Sequence, residues 1–255
     1  METYKQGYWR TRFMFYNLWD ISPLQINSIA LARSKAANRG MKLLDLACGD
    51  GRHLFAYNSS GKLHPQDTVI ALDISNKALV LTREVVPKAM PIQGSTLLLP
   101  FKKDSLDFVL CSMLIEHVPD DMLLHEIRRV LAPGAVLHLT TVIRRPYAPF
   151  TKRSPEGRLV LAPNHLREYK DSHEIINLVE KSGFSAYCFK SYAFRVSIIH
   201  RLLMLGLKLR LFDLPVKRRM IPIAPNLKKF IKLFTLQVPI IGYYTFEGIF
   251  VAGKK

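Results

Sequence analysis

The residues with the clearest chemical potential form a run of small and acidic residues directly after a short apolar segment. Residues 43–46 read as a buried strand that carries Asp45, and the run Ala47-Cys48-Gly49-Asp50-Gly51 follows it. Because glycine lacks a Cβ, Gly49 and Gly51 let the backbone turn tightly and let a ligand approach closely. A helix is predicted to begin at residue 51. Such a strand–turn–helix unit places the turn at the carboxyl edge of a sheet, where nucleotide-like ligands bind.

An acidic residue closes the next predicted strand. Asp73 lies 22 residues beyond Gly51. A carboxylate at this place can accept two hydrogen bonds from the vicinal hydroxyls of a ribose. Enzymes that bind nicotinamide dinucleotides use an acid in the same way, and Asp73 could also only cap the following helix. The spacing of Ala47, Gly49 and Gly51 is A-x-G-x-G rather than G-x-G-x-x-G, which disfavours a dinucleotide.

The elements that must position these residues alternate along the chain. The predicted strands are 42–46, 68–73, about 89–93, 106–112, 135–142, 184–189 and about 243–252. The predicted helices between them are 51–59, 75–86, 119–131 and 171–182. The strands are continuous apolar and β-branched runs, which is typical of parallel strands covered on both faces. The pattern predicts an α/β fold with a doubly wound sheet.

Two stretches together resemble the class I S-adenosylmethionine-dependent methyltransferases. The first is residues 44–51, where the family usually has glycine in place of Ala47; the second is residues 111–120, similar to the segment after the fourth strand of small-molecule members. The resemblance covers about residues 40–142 and, more loosely, the last two strands. It implies a Rossmann-like methyltransferase fold, a mostly parallel seven-stranded sheet, with S-adenosyl-L-methionine as cofactor.

The same resemblance implies roles for individual residues. Asp73 would bind the ribose, Ile74 would lie against the adenine, and the backbone at Cys111 would face the methionine part. Ser95 stands where the family commonly has aspartate. The candidate cofactor-binding residues are Asp45, Ala47, Cys48, Gly49, Gly51, Asp73, Ile74, Ser95 and Cys111.

Two histidines are candidates for catalysis. His117 follows the fourth strand, and His165 belongs to a His-Leu-Arg-Glu-Tyr run that recurs in many small-molecule methyltransferases of this type. Histidine has an unperturbed pKa of about 6.5, so either residue could act as a general base on a phenol or acidic hydroxyl. The alternative for both is structural: His117 packs beneath the following helix, and the run at His165 anchors its loop.

Composition narrows the partners. The 255 residues are 49% hydrophobic and carry a net charge of +17, which favours an anionic partner such as nucleic acid, a membrane surface or an acidic substrate. Residues 111–114, Cys-Ser-Met-Leu, lack the Asn/Asp-Pro-Pro-aromatic sequence of amino-methylating nucleic-acid enzymes and the Pro-Cys of pyrimidine methylation. RNA methylation or RNA binding is therefore the less favoured alternative, and nucleic acid is the less favoured partner.

Three segments fall outside the regular alternation. Residues 1–40 are predicted to form an N-terminal helical cap, or a lid whose aromatic rings line a substrate pocket. Residues 143–168 read as a basic, proline-punctuated loop, and 195–240 as a helical insertion that is both basic and apolar. Within a single domain of 255 residues, these segments favour a hydrophobic or lipid-linked small-molecule acceptor, methylated on oxygen or carbon, and allow docking on an anionic membrane.

Cysteine usage and the absence of long apolar runs bear on metal and location. The three cysteines are widely spaced and form no CxxC or Cys/His cluster, so no metal site is predicted. No charge-free apolar run approaches the ~20 residues of a membrane span. We therefore expect a cytoplasmic protein, either free or associated with a membrane surface.

Overall fold

A computed structural model describes residues 21–36, 39–149, 152–154, 157–160, 162, 164–197 and 237–253, with the side chains of 195–197 and 237–238 left undescribed. Within these residues the α-helices are α1 (Pro23–Ala36), α2 (Arg52–Ser59), α3 (Asn76–Val85), α4 (Asp120–Val130) and α5 (Ser172–Lys181). A short 3₁₀ turn spans Ile115–His117. The predicted helices form, each one or two residues shorter at its ends than the sequence indicated.

The strands are β1 (Lys42–Leu46), β2 (Thr68–Asp73), β3 (Met90–Gln93), β4 (Leu106–Ser112), β5 (Leu131–Arg144), β6 (Lys152–Arg153), β7 (Leu159–Val160), β8 (Phe184–Ser197) and β9 (Gln237–Ala252). Seven of them form one sheet in the order β3-β2-β1-β4-β5-β9-β8. The pairings from β3 to β5 are parallel, and β9 runs antiparallel to both β5 and β8. The predicted mostly parallel, seven-stranded doubly wound sheet is confirmed.

The order of the strands positions the glycine turn. β1 lies between β2 and β4 in the sheet. After β1 the chain adds β2 and β3 on one side of it, and then crosses to the other side to add β4 and β5. Such a reversal of strand order opens a crevice outside the carboxyl ends of the strands, and ligands of doubly wound sheets bind there. The turn after β1, the acid at the end of β2 and the segment after β4 therefore meet at one edge.

The helix before the sheet is specified by its own first residues. Ser22 stands at the N-cap, Pro23 occupies the first helical position, and the main-chain N–H of Gln25 donates to Ser22 Oγ at 3.0 Å. Gln25 Oε1 accepts in return from the Ser22 main-chain N–H at 3.0 Å, which completes a capping box. One face of α1, with Ile29 and Ala32 buried, packs on the sheet. The aromatic residues 1–20 of the predicted cap or lid lie outside the described residues.

Two predicted insertions are smaller than the sequence indicated. β5 continues to Arg144, so the segment predicted to be a loop from 143 begins as strand, and the two-residue strands β6 and β7 pair within it. β8 extends to Ser197 and β9 begins at Gln237, so both ends of the predicted 195–240 helical insertion are strand. Long antiparallel pairing stabilises these extensions, which β-branched and aromatic residues favour. Residues 198–236 lie outside the described residues.

No helix of the described residues combines the length and the apolar character that crossing a membrane requires.

Candidate functional site

The turn after β1 has the backbone conformation that its glycines suggested. Gly49 and Gly51 have φ values of 57° and 75°, and Ala47, in place of the family's glycine, also adopts a positive φ of 57°. A Cβ at Gly51 would lie 2.8 Å from Thr82 Oγ1 and 3.0 Å from Thr82 Cα, because α3 packs directly against the turn. Thr82 Oγ1 also donates to the Gly49 carbonyl at 3.1 Å. Gly51 therefore cannot carry a side chain without displacing the turn or α3.

Asp73 connects the turn to the end of β2. Its Oδ2 accepts from the Gly49 main-chain N–H at 2.9 Å, and its Oδ1 accepts from the Ser75 N–H at 2.8 Å. Burial outweighs these hydrogen bonds and raises the pKa of Asp73. A carboxylate oxygen has two lone pairs, so each oxygen keeps the capacity to accept from a ligand hydroxyl. Asp73 organises the turn, while Ser75 caps α3 by accepting from the Ala78 N–H at 3.4 Å.

Acidic residues are concentrated around the turn. Asp45 is 1% exposed, its Oδ2 has no hydrogen-bond partner in the described part of the chain, and burial together with Asp73 and Asp50 raises its pKa well above the usual range. Asp50 is also buried and accepts from Arg52 Nε at 2.9 Å and from Arg52 Nη2 at 2.6 Å. The carboxyl oxygens of Asp45 and Asp73 make this site suitable for a ligand with hydrogen-bond donors.

The rim of the edge carries apolar side chains. Ile74, which follows Asp73, is 59% exposed, and Leu98, in the loop after β3, is 77% exposed. Ser95 is exposed, and its Oγ accepts from the Leu97 N–H at 3.2 Å, so its hydroxyl is used within its own loop. Exposed apolar side chains beside a polar turn suit a ligand with a flat apolar ring.

The two cysteines among the candidate cofactor-binding residues, Cys48 and Cys111, have their side chains in the core. Cys48 is 4% exposed with its Sγ 3.6 Å from Thr82 Oγ1, and Cys111 is fully buried at the end of β4. Burial raises the pKa of both thiols, so both stay protonated at neutral pH. Their side chains therefore contribute packing, and only their backbones are available to the edge.

A polar row crosses the sheet beyond the turn. Ser112, Thr140, Glu247 and Lys190 occupy paired positions on β4, β5, β9 and β8. Ser112 Oγ and Thr140 Oγ1 are 2.8 Å apart, and Lys190 Nζ lies 3.2 Å from Glu247 Oε2. This row continues the carboxyl edge of the parallel strands toward β8, at the level where β4 ends.

Glu247 is the buried centre of this row. It is 1% exposed, accepts from Ser22 Oγ at the start of α1, and lies 3.4 Å from Nε2 of the fully buried His138. Although burial opposes ionisation, the hydrogen bonds from His138 and Ser22 lower the pKa of Glu247. Burial lowers the pKa of His138. A negative carboxylate is therefore held within this polar row.

The predicted catalytic histidines come together although 48 residues separate them in the chain. The rings of His117 and His165 pack edge to face with centroids 4.7 Å apart. His117 Nδ1 lies 3.1 Å from the Asn164 carbonyl oxygen, and His165 Nδ1 contacts Glu168 Oε1. Glu116 lies beside them; burial raises its pKa to about 7. The main-chain N–H of Leu166 donates to the Glu116 carbonyl at 2.7 Å, which ties the two segments together.

Residues 44–139 match a protein family described as "Methyltransferase domain". The match begins in β1 and ends in β5, so it includes the glycine turn, Asp73 and the segment after β4. The chain contains a class I S-adenosylmethionine-dependent methyltransferase domain. This confirms the fold and cofactor class that the sequence resemblance implied.

Several named proteins are similar to this chain. A demethylmenaquinone methyltransferase of Lactococcus lactis is 35% identical over 101 residues, which are 37% of this chain and 39% of that protein. A ubiquinone biosynthesis O-methyltransferase of Pseudomonas aeruginosa is 27% identical over 164 residues, 58% of this chain and 62% of that protein. The chain thus spans between 39% and 62% of the length of these relatives.

A crystal structure of a SAM-dependent methyltransferase from Methanosarcina mazei superposes with a TM-score of 0.57 at 17% identity. The alignment covers 93% of this chain and 100% of that one, so the likeness in fold extends well beyond the matched domain.

The sequence did not indicate the side chains that pack against the candidate site residues and fix their positions. Thr82 lies in the middle of α3, where its hydroxyl looks like an ordinary helical residue. Glu247 lies in an apolar run, and Glu116 stands next to the candidate His117 with nothing in the local sequence to show that it is buried. A buried acid in an apolar strand is the one signal that could have drawn attention to Glu247.

Proposed function

We propose that the protein transfers the methyl group of S-adenosylmethionine to a lipophilic small-molecule acceptor of the quinone type, on a hydroxyl oxygen or a ring carbon. The observation that carries the cofactor half is the hydrogen bond from the Gly49 N–H to Asp73, which joins the positive-φ turn to the acid at the end of β2. The names of the relatives support the acceptor half.

Different residues at the carboxyl edge of the sheet bind different parts of the cofactor. Asp73 accepts hydrogen bonds from the ribose hydroxyls, and Ile74 lies against the adenine. Asp45 lies near the end of β1 with an oxygen that lacks a hydrogen-bond partner in the described residues, and this oxygen accepts a hydrogen bond from the methionine portion. Gly49 and Gly51 admit the ligand close to the backbone, with Ala47 and Cys48 completing the turn. Cys111 contributes its backbone, and Ser95 bounds the adenine side.

The acceptor lies beyond the sulfonium, against β4, β5 and β9. A methyl group on a sulfonium is already activated, so the protein chiefly aligns the acceptor in line with it. Ser112 and Thr140 offer hydroxyls that orient an acceptor oxygen, and Glu247 supplies a fixed negative charge. His117 and His165 remain the candidates for a general base. The basic 195–240 segment would hold the protein at the membrane that carries such an acceptor.

The test of the cofactor half is binding without an acceptor. We expect S-adenosylhomocysteine to raise the melting temperature and to bind in calorimetry, while NAD does neither. Stabilisation by NAD instead would overturn the assignment of the turn.

The test of the acceptor half uses labelled S-adenosylmethionine with three acceptors: a demethylmenaquinone with a short isoprenoid chain, a polyprenyl-substituted dihydroxybenzene, and total RNA. We expect label in one of the two lipophilic acceptors and none in RNA. Label in RNA alone would contradict the proposal and restore the nucleic-acid alternative.

A further inference from the structure

Three side chains that the sequence keeps apart converge beside the 3₁₀ turn. Glu116 and His117 belong to the turn after β4, and His165 belongs to the loop before α5. One potential ligand atom from each of the three lies within 4.8 Å of the other two. Glu116 and His165 are buried and His117 is half-buried, so the cluster is open to solvent on one side only.

Both imidazoles are oriented through Nδ1. Asn164 meets His117 Nδ1 with its backbone carbonyl at 3.1 Å and with its side-chain amide at 3.3 Å. His165 Nδ1 contacts the Glu168 carboxylate. A carboxylate only accepts, so the contact with Glu168 places a proton on His165 Nδ1 and leaves its Nε2 with the lone pair. At His117 the Asn164 carbonyl accepts and the Asn164 amide donates, so Nδ1 has a partner in either tautomer and the ring is oriented in both. A histidine held in this way by a carbonyl or carboxylate is the usual arrangement of a metal ligand.

Only one of the two carboxylate oxygens of Glu116 accepts a hydrogen bond from the described part of the protein. Its Oε2 accepts from Thr141 Oγ1 at 3.0 Å. Its Oε1 is buried and has no hydrogen-bond partner in the described part of the chain. An unpaired oxygen on a fully buried carboxylate costs free energy unless a ligand occupies it. Two oriented imidazoles beside that oxygen make a cation the suitable ligand.

We propose that Glu116, His117 and His165 bind a divalent transition metal ion. Two imidazole nitrogens and one carboxylate oxygen suit Zn²⁺, Co²⁺ or Fe²⁺, whereas Mg²⁺ prefers oxygen ligands alone. Three protein ligands leave further coordination positions open toward the solvent side, at His117. The proposal goes beyond the methyl transfer proposed above and does not depend on it.

The elements around the cluster make it rigid before any ion binds. The main-chain N–H of Leu166 donates to the Glu116 carbonyl at 2.7 Å, so the loop that carries His165 is fixed to the turn that carries Glu116. Thr141, on β5, fixes the Glu116 side chain. Glu168, three residues after His165, fixes the second ring. Ligands held by outer partners lose little freedom on binding, which favours affinity.

The experiment is metal titration of tag-free, chelator-treated full-length protein. We expect one equivalent of Co²⁺ to give d–d absorption bands, one equivalent of Zn²⁺ to abolish them by competition, and Mg²⁺ to leave them unchanged. Glu116→Gln and His165→Gln should each weaken Zn²⁺ binding by at least about 100-fold in calorimetry. His125→Gln, an exposed histidine on α4, is the matched control and should bind as the wild type does.

Each result decides the question. Absence of Co²⁺ bands and of Zn²⁺ binding in the wild type would overturn the proposal, as would binding that survives in both variants. Circular dichroism of every variant shows whether it is folded. S-adenosylhomocysteine binding is measured separately on the wild type: because it concerns the cofactor edge alone, its absence there would count against the proposed function and not against the metal site.

Discussion

At the scale of single residues, Asp73 and Asp67 show two uses of a buried carboxylate. Asp73 uses its hydrogen bonds to shape the turn that receives a ligand. Asp67 has only structural partners: it accepts from both terminal nitrogens of Arg33 and from the N–H groups of Met41 and His64. The first residue should therefore matter for binding and the second for folding, although both lie near ends of β2.

Replacing Asp73 by alanine should weaken S-adenosylhomocysteine binding by at least about 10- to 100-fold, since even one hydrogen bond to a charged group contributes roughly 1.5–3 kcal/mol. Calorimetry measures the affinity, and circular dichroism shows whether the fold is kept. Ser75→Ala is the control, because it removes the α3 cap and leaves the carboxylate. Unchanged affinity in Asp73→Ala would remove the ribose assignment.

Asp67 should make stability depend on acid. Although burial opposes ionisation, its hydrogen bonds to Arg33, His64 and Met41 lower its pKa to about 2 in the folded protein, below the value of about 3.9 expected when unfolded. The stabilisation is therefore complete above pH 4 and is lost as the pH falls toward 2.

We expect Asp67→Asn to cost about 1 kcal/mol at pH 7, since the solvent-exposed side of Arg33 weakens the pairing. The difference from wild type should shrink between pH 4 and pH 2, which urea unfolding at several pH values measures. Asp104→Asn, whose carboxylate lies 3.9 Å from an exposed lysine, serves as control and should change stability by less than about 0.5 kcal/mol. A difference that stays constant with pH would contradict the assignment.

At the scale of elements, the site depends on how α3 packs against the turn after β1. Thr82 contacts the turn from the middle of α3 and leaves no room for a Cβ at Gly51. The turn is therefore held by a helix that follows it by about thirty residues. The antiparallel pairing of β9 with β5 acts similarly on the other side, where it brings Glu247 to the level of Ser112.

Two glycine substitutions separate backbone strain from steric conflict. Gly51 and Gly61 both have a positive φ, of 75° and 65°, so alanine at either position should cost about 1 kcal/mol of stability. A Cβ at Gly61 meets nothing within 4 Å, whereas one at Gly51 collides with Thr82. Gly51→Ala should therefore be the less stable variant in thermal unfolding and should lose S-adenosylhomocysteine binding, while Gly61→Ala keeps it. Equal behaviour of the two variants would refute the close-packing account.

At the scale of the whole molecule, the net charge of +17 is unevenly distributed along the chain. Residues 195–240 contain ten Lys and Arg against one Asp, interleaved with apolar residues. This charge is far from the acidic turn in sequence and suits an anionic surface rather than the cofactor. Most of the segment, 198–236, lies outside the described residues, so its role stays a prediction from composition.

Charge neutralisation tests that role. Changing Lys217, Arg218 and Arg219 to glutamine should reduce binding to vesicles of mixed phosphatidylcholine and phosphatidylserine, since each basic residue near the surface contributes about 1 kcal/mol. Co-sedimentation measures the bound fraction, and neutral phosphatidylcholine vesicles are the control. If the wild type does not sediment with anionic vesicles, the membrane interpretation is wrong.

The sequence by itself determined the elements and the cofactor class. Apolar runs, glycine spacing and the acid after the second strand are local properties, and they predicted β1, β2 and β4 with their observed bounds. Local patterns could not show where β5, β8 and β9 end, because their extensions are stabilised by pairing with one another.

Only the tertiary structure brought Glu116 and His117 to His165, and Glu247 to His138 and Lys190. The physical reason is that such clusters depend on which strands pair and which loops are hydrogen-bonded together. The residues involved are too far apart in the chain for any spacing pattern to predict their contact. The absence of Cys/His spacing predicted no metal site, yet a site can be assembled from a glutamate–histidine pair and one remote histidine. The turn after β1 could be predicted from the sequence because residues adjacent in the chain form it. Its surroundings could not be predicted, because residues remote in the chain form them.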